Sequence, residues 1–205
     1  MTPNCCAAAR KALHMVSPIT YPMRQKRRYS AHHKLLEVAG TALDAAKTAP
    51  AGSKFDQYEI AMTFSALAFE ALTNLLVQRL VDDPEDYGSS SPIAKIRAVW
   101  KELGLPYEKD DPIWADLRTL FRFRNQVAHA KPEDIDEVNH FTDDDFENPS
   151  LPPPQSALEK MVTQNGAERA VAVVRTFLER AYQKTQSPLQ QELVGGSYST
   201  EPAKP

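Results

Sequence analysis

Cysteine is nearly absent from this 205-residue chain, and the two present, Cys5 and Cys6, are adjacent. So placed, they can neither staple a core nor supply a spaced metal site, and a reducing compartment is expected. No apolar run is read as reaching the roughly 20 residues that cross a bilayer, and the first residues lack the continuous apolar block of a secretory signal. A soluble, cytoplasmic protein without membrane contact is the expectation. The seven glycines form no phosphate-cradling loop, which argues against nucleotide binding of the familiar loop type. Sustained two-residue alternation is missing, so strands are expected to be absent or marginal. There is no internal repeat and no heptad series long enough for a coiled coil. No serine or cysteine stands in a nucleophile-elbow context, which removes the commonest hydrolase readings.

Acid is also missing from one end. Residues 1–36 hold seven Lys or Arg and no Asp or Glu, so the net charge of −3 conceals a basic segment and a body at −10. An acidic body argues against a broad non-specific nucleic-acid surface, although the stretch from Arg24 to Arg28 can supply a local one. The residues are read as a basic flexible arm (1–29), one helical domain (30–187) and a disordered tail (188–205).

What the chain does contain is helical periodicity. A first helix begins near Ser30, with Leu35, Leu36, Ala39, Leu43 and Ala46 at three- and four-residue spacings, and ends at Pro50 and Gly52. From Phe55 to Val81 the chain is apolar nearly all round and reads as the central buried helix of a bundle. A shorter helix over Ile93–Leu103 presents Ile96, Val99, Trp100 and Leu103, with Gly104 as its cap. The next starts after Asp110 and Asp111, with Pro112 in its first turn, buries Ile113, Trp114, Leu117, Leu120, Phe121, Phe123 and Val127, and stops before Pro132. An acidic connection (133–155) leads to a last helix over Ser156–Lys184, with Leu158, Met161, Val162, Val171, Val174, Phe177, Leu178 and Tyr182 as its apolar side. An all-α bundle of four to five helices follows.

The compact set of residues with chemical potential stands at the end of the fourth helix. Arg124, Asn125 and His129 offer a fixed cation, an amide and a group that exchanges protons near neutral pH. Asn125 and His129 are four apart and share a helix face with Arg122, whereas five residues separate Arg124 from His129, a rotation of about 140°. One chain thus points the two toward adjoining faces, and two such helices about a two-fold axis would bring each Arg124 toward the other copy's His129. Such a pair suits RNA cleavage without a metal or cofactor: histidine moves the proton of a ribose 2′-hydroxyl while arginine stabilises charge on the phosphorane. The bland alternative is a surface arginine and a helix-capping histidine.

The pattern Arg124-Asn125-x-x-x-His129, together with Phe64–Leu76 upstream, where Glu70 and Asn74 interrupt an apolar run, resembles the signature of the HEPN superfamily. The resemblance covers about residues 55–131. It implies a dimeric all-α domain, in many members a metal-independent endoribonuclease of toxin–antitoxin or phage-defence systems and in others a non-catalytic module. It further implies that Arg124 and His129 form the catalytic pair, with Asn125 beside them and RNA and a regulatory or antitoxin protein as partners. Members paired with a nucleotidyltransferase antitoxin often carry a tyrosine two residues after the histidine. Lys131 stands there instead, so tyrosine adenylylation at that point is not expected.

Glu70 and Asn74, four apart on an otherwise apolar helix, need partners. Either Glu70 pairs with an arginine such as Arg124 and fixes it, or both bond to a neighbouring helix and specify packing. Arg122 and Lys131 are secondary candidates for RNA contact. His32 and His33 are read as surface residues, because adjacent histidines on a helix cannot face one metal. The run of Asp143, Asp144, Asp145 and Glu147 lacks the pattern of a calcium loop.

Overall fold

A computed structural model describes residues 23–136, 154–195 and 197–202. Its elements are β1 (Met23–Arg28), α1 (Ala31–Thr48), α2 (Ala51–Leu80), a 3-10 turn (Pro84–Tyr87), α3 (Pro92–Glu102), α4 (Pro112–Ala128), α5 (Ala157–Met161), α6 (Gln164–Lys184), α7 (Leu189–Leu193) and β2 (Ser197–Pro202). Residues 28–197 form one compact unit, which is the helical body. The other unit contains a two-stranded sheet of β1 and β2, with Lys26 ion-paired to Glu201 at 2.9 Å. The expected basic arm lies outside the described residues up to position 22, and so does most of the acidic connection, including Asp143, Asp144, Asp145 and Glu147.

α1 and α2 are joined only by Ala49 and Pro50, so the chain must fold back on itself. Ala49 is extended (φ −66°, ψ 146°), as a residue before proline is obliged to be, and Pro50 caps α2. Buried Ala39, Ala42 and Ala46 on α1 and Ala61, Ala66 and Ala68 on α2 let helices approach closely. At the centre, the ring of Phe69 meets Phe121 edge-on (5.5 Å) and Phe177 edge-on (4.8 Å), and Phe177 in turn lies 5.3 Å from Trp100, itself 5.0 Å from Trp114. These contacts tie α2, α3, α4 and α6 into one core.

The sequence periodicity is matched over α1, α3 and α4 to within a residue or two. Ile96, Val99, Trp100 and Leu103 are all buried, and Gly104 takes φ +62° at the end of α3. Asp111 caps α4 through Oδ1, which accepts from the Ile113 N–H (3.0 Å), while Arg180 donates to Oδ2 (2.6 Å). Burial pushes the Asp111 carboxyl up, but its hydrogen bonds from Arg180 and Ile113 and the charge of Arg180 outweigh that and hold it below its ordinary value.

Five expectations give way. The last helix is two: Ser156 and Glu159 close a capping box that starts α5, Val162 and Thr163 are extended, and Thr163 Oγ1 restarts the chain as α6 by accepting from Gly166. Gly166 is required there, since a Cβ would stand 2.9 Å from the Met161 carbonyl oxygen. The segment beyond Pro188 is not a structureless tail, since α7 and β2 form there, while the two six-residue strands keep to the expectation that strands are absent or marginal. Val127 and Tyr182 are exposed rather than packed. α2 is, by length and composition, apolar enough to cross a membrane (mean hydropathy 1.6 over an 18-residue window), against the expectation that no run is. Its apolar side chains have a core to fill, however, and 56% of that window is buried.

His32 is the fifth, being 2% exposed rather than on the surface. It lies four residues before Leu36 on the buried side of α1, and its Nε2 donates to the Leu193 carbonyl oxygen (2.9 Å). Arg79 at the end of α2 pairs with buried Glu192 (3.0 Å), so two polar contacts fasten α7 to the hairpin. Burial lowers the His32 pKa, with the Leu193 hydrogen bond raising it less and His33 lowering it further.

Truncating Phe69 to Ala should cost about 3–5 kcal/mol in denaturant unfolding, since its ring touches two other helices. Because the folded His32 titrates below the unfolded one, the unfolded chain takes up the proton first. Stability is then full above the ordinary value of 6.5 and declines as pH drops below it. The melting temperature should fall between about pH 7.5 and about pH 5.5, and less steeply in His32→Gln, which retains a donor. An unchanged slope in that variant would assign the loss to other groups.

Candidate functional site

The C-terminal half of α4 places the motif, and core residues one position away aim it. Phe69 and Phe123 are fully buried, which sets their chain neighbours Glu70 and Arg124 at the edge of the α2–α4 packing, each side chain about one-third exposed. There Arg124 Nη2 donates to both carboxylate oxygens of Glu70 (3.1 Å to Oε2, 3.4 Å to Oε1), and Nη1 donates to Asn125 Oδ1 at 3.4 Å. These three bonds restrain a guanidinium whose planar fork fits a carboxylate or phosphate.

Asn74 does not join this cluster. Its Oδ1 accepts from Lys95 Nζ (2.9 Å) on α3, so of the two polar interruptions in α2 one reaches the motif arginine and the other fastens a neighbouring helix. Arg122, Asn125 and Lys131 are exposed.

His129 is the C-cap of α4 (φ −128°, ψ 26°), and its N–H donates to the Asn125 carbonyl oxygen (3.0 Å). The imidazole is exposed and has no hydrogen-bond partner among the described residues. It lines a cavity of about 420 Å³ with Gln126, Lys131, Glu133, Ile135 and Leu158. The Glu133 carboxylate accepts from the Ala157 N–H (3.3 Å), which joins the segment after α4 to the start of α5. Among the described residues Gln126 Oε1 is buried without a partner. Arg124 does not line this cavity, in keeping with the adjoining-face geometry read from the spacing. Sequence reasoning missed the residues that α5 contributes, because only the folded chain brings 156–158 beside 126–135.

One chain thus offers an acid-restrained arginine on one side of a helix end and a free imidazole at a cavity on the other. The first can hold a phosphate or a developing negative charge, and the second can exchange a proton. The chain matches no family model, no curated protein and no solved structure.

An ion pair this exposed should add only about 0.5–1 kcal/mol to stability. In a double-mutant cycle, Glu70→Gln and Arg124→Ala should therefore couple weakly, and the coupling should shrink as salt is raised. A coupling above about 3 kcal/mol would instead mark a buried structural pair. Asn74→Ala should leave Arg124 in place, measured as an unchanged coupling in the same cycle.

Proposed function

We propose that this chain is a HEPN-like helical domain that acts as a homodimeric, metal-independent endoribonuclease, with Arg124 and His129 as its catalytic pair. The observation that carries the reading is the clamp on Arg124: Glu70, a carboxylate in an apolar helix, orients the motif arginine, while a free histidine stands five residues on at an open cavity. The reaction that suits these groups begins with proton transfer from a ribose 2′-hydroxyl to an imidazole. The 2′-oxygen attacks phosphorus and the bond to the 5′-oxygen breaks, with that oxygen taking up a proton. Arg124 neutralises charge on the non-bridging oxygens. A 2′,3′-cyclic phosphate and a 5′-hydroxyl are the products.

The dimer answers the geometry of the single chain. A second copy related by a two-fold axis supplies the His129 that one copy's Arg124 lacks on its own face. Leu67 and Val127 are both exposed apolar residues, each three positions from a member of the Glu70–Arg124 pair, and suit cover by such a copy. Arg122, Asn125 and Lys131 extend the polar surface toward RNA. Toxin or defence roles under a regulatory protein belong to the same reading.

A second reading is a non-catalytic HEPN-like module that binds RNA, a nucleotide or a protein. It is favoured by the neutralisation of Arg124 by Glu70 and by the absence, among the described residues, of a bond that fixes the His129 tautomer.

Incubated with mixed RNA in EDTA, the full chain should generate cyclic-phosphate ends. His129→Ala should abolish cleavage with unchanged circular dichroism, and Arg124→Ala should slow it about 10²–10³-fold. Retained activity in His129→Ala overturns the mechanism. RNA binding without product, unaffected by that substitution, supports the second reading.

A further inference from the structure

A further cavity lies away from the motif. It holds about 540 Å³, within the range of small-ligand sites, and is lined by Arg97, Trp100, Lys101, Leu105 and Tyr107. Trp114, which packs against both Trp100 and Tyr107, precedes Arg124 by ten residues, about 15 Å along α4. The two sites are therefore at different ends of that helix.

Its walls are preformed. At the end of α3 the Leu105 N–H donates to the Trp100 carbonyl oxygen (3.1 Å) and the Gly104 N–H to that of Lys101 (3.0 Å), with Gly104 at φ +62°. This paired pattern closes the helix and turns Leu105 back beside Trp100. The Trp100 indole N–H donates to the Pro106 carbonyl oxygen (3.1 Å), which holds the segment leading to Tyr107. Tyr107 rests on Trp114 at 5.0 Å and is still 52% exposed, surface enough for a planar group to stack.

The charge is one-sided. Arg97 and Lys101 are one helical turn apart, within about 5–6 Å at Cβ, and neither side chain has an ion-pair or hydrogen-bond partner among the described residues. Among the described residues no acid lines the cavity. Two unneutralised cations beside an aromatic wall and an apolar floor match a ligand that is flat at one end and anionic at the other.

We infer that this cavity binds a nucleoside 5′-monophosphate unit, with its base stacked on Tyr107 and its phosphate held by Arg97 and Lys101. That unit can be a free mononucleotide or an unpaired nucleotide within single-stranded RNA. The inference is independent of cleavage at His129.

The protein reports on the site itself, because its two tryptophans, Trp100 and Trp114, both lie at or against the cavity. Titrating the full chain with AMP, UMP or a short oligouridylate, in EDTA, should quench tryptophan fluorescence saturably. Inorganic phosphate and ribose 5-phosphate should bind at least tenfold more weakly than AMP. Tyr107→Ala should weaken nucleotide binding about tenfold or more while Tyr107→Phe retains it, and Arg97→Glu with Lys101→Glu should weaken it further and flatten its salt dependence. Tighter binding of the oligomer than of the monomers assigns the site to RNA, and the reverse order assigns it to free nucleotide. Repeating the titration in His129→Ala reads this cavity separately from the cleavage chemistry. No saturable quench at millimolar nucleotide, phosphate binding equal to AMP, or equal affinity in folded Tyr107→Ala would each overturn the inference.

Discussion

The packing of one phenylalanine is the constraint on which the rest of the body depends. Phe69 sits at the middle of α2 with its ring edge-on to Phe121 of α4 and Phe177 of α6, so three helices share one fully buried side chain. Aromatic packing of this kind combines large apolar area with a preferred geometry, and it fixes the rotation of each helix about its axis as well as its position. That rotation is what places Glu70 and Arg124 at the rim of the core. Had α4 turned by one residue, Arg124 would face solvent or the core, and the clamp would not form.

The clamp on Arg124 contributes orientation more than stability. Glu70 and Arg124 are each about one-third exposed, so desolvation costs little and solvent screens much of their attraction. What the pair provides is orientation, because a guanidinium held at two carboxylate oxygens loses its rotamer freedom before any ligand arrives. Arg79 and Glu192 differ: Glu192 is 3% exposed at its side chain, and its partner, with the bond from His32 to Leu193, fastens a five-residue helix too short to persist alone.

Much of this was legible in the sequence. Ile96, Val99, Trp100 and Leu103 were readable as a buried stripe from their spacing, and Asp111 with Pro112 as the start of α4 from capping chemistry. Glu70 was readable as a polar group in need of a partner, with Arg124 one of its options, whereas Asn74 offered the same pattern and took Lys95 instead. The two residues carry identical local information, and their partners come from helices distant in the chain. His32 sat at the right spacing for burial, four before Leu36, but its neighbour His33 masked the pattern, and its acceptor is supplied by a segment 161 residues away.

By itself the sequence determined α1 to α4, most of their apolar faces and the order of Arg124, Asn125 and His129 along one of them, because helix periodicity, caps and prolines act over a few residues. The division of the last helix was also written locally, in Ser156, Glu159 and Thr163, though apolar spacing alone concealed it. Only the tertiary structure decided which polar residue of α2 meets Arg124, that the imidazole of His129 opens onto a cavity completed by α5, and that Arg97, Lys101 and Tyr107 line one cavity with Trp100. Those outcomes depend on contacts between residues far apart in the chain, selected by how the aromatic core sets the rotation of each helix.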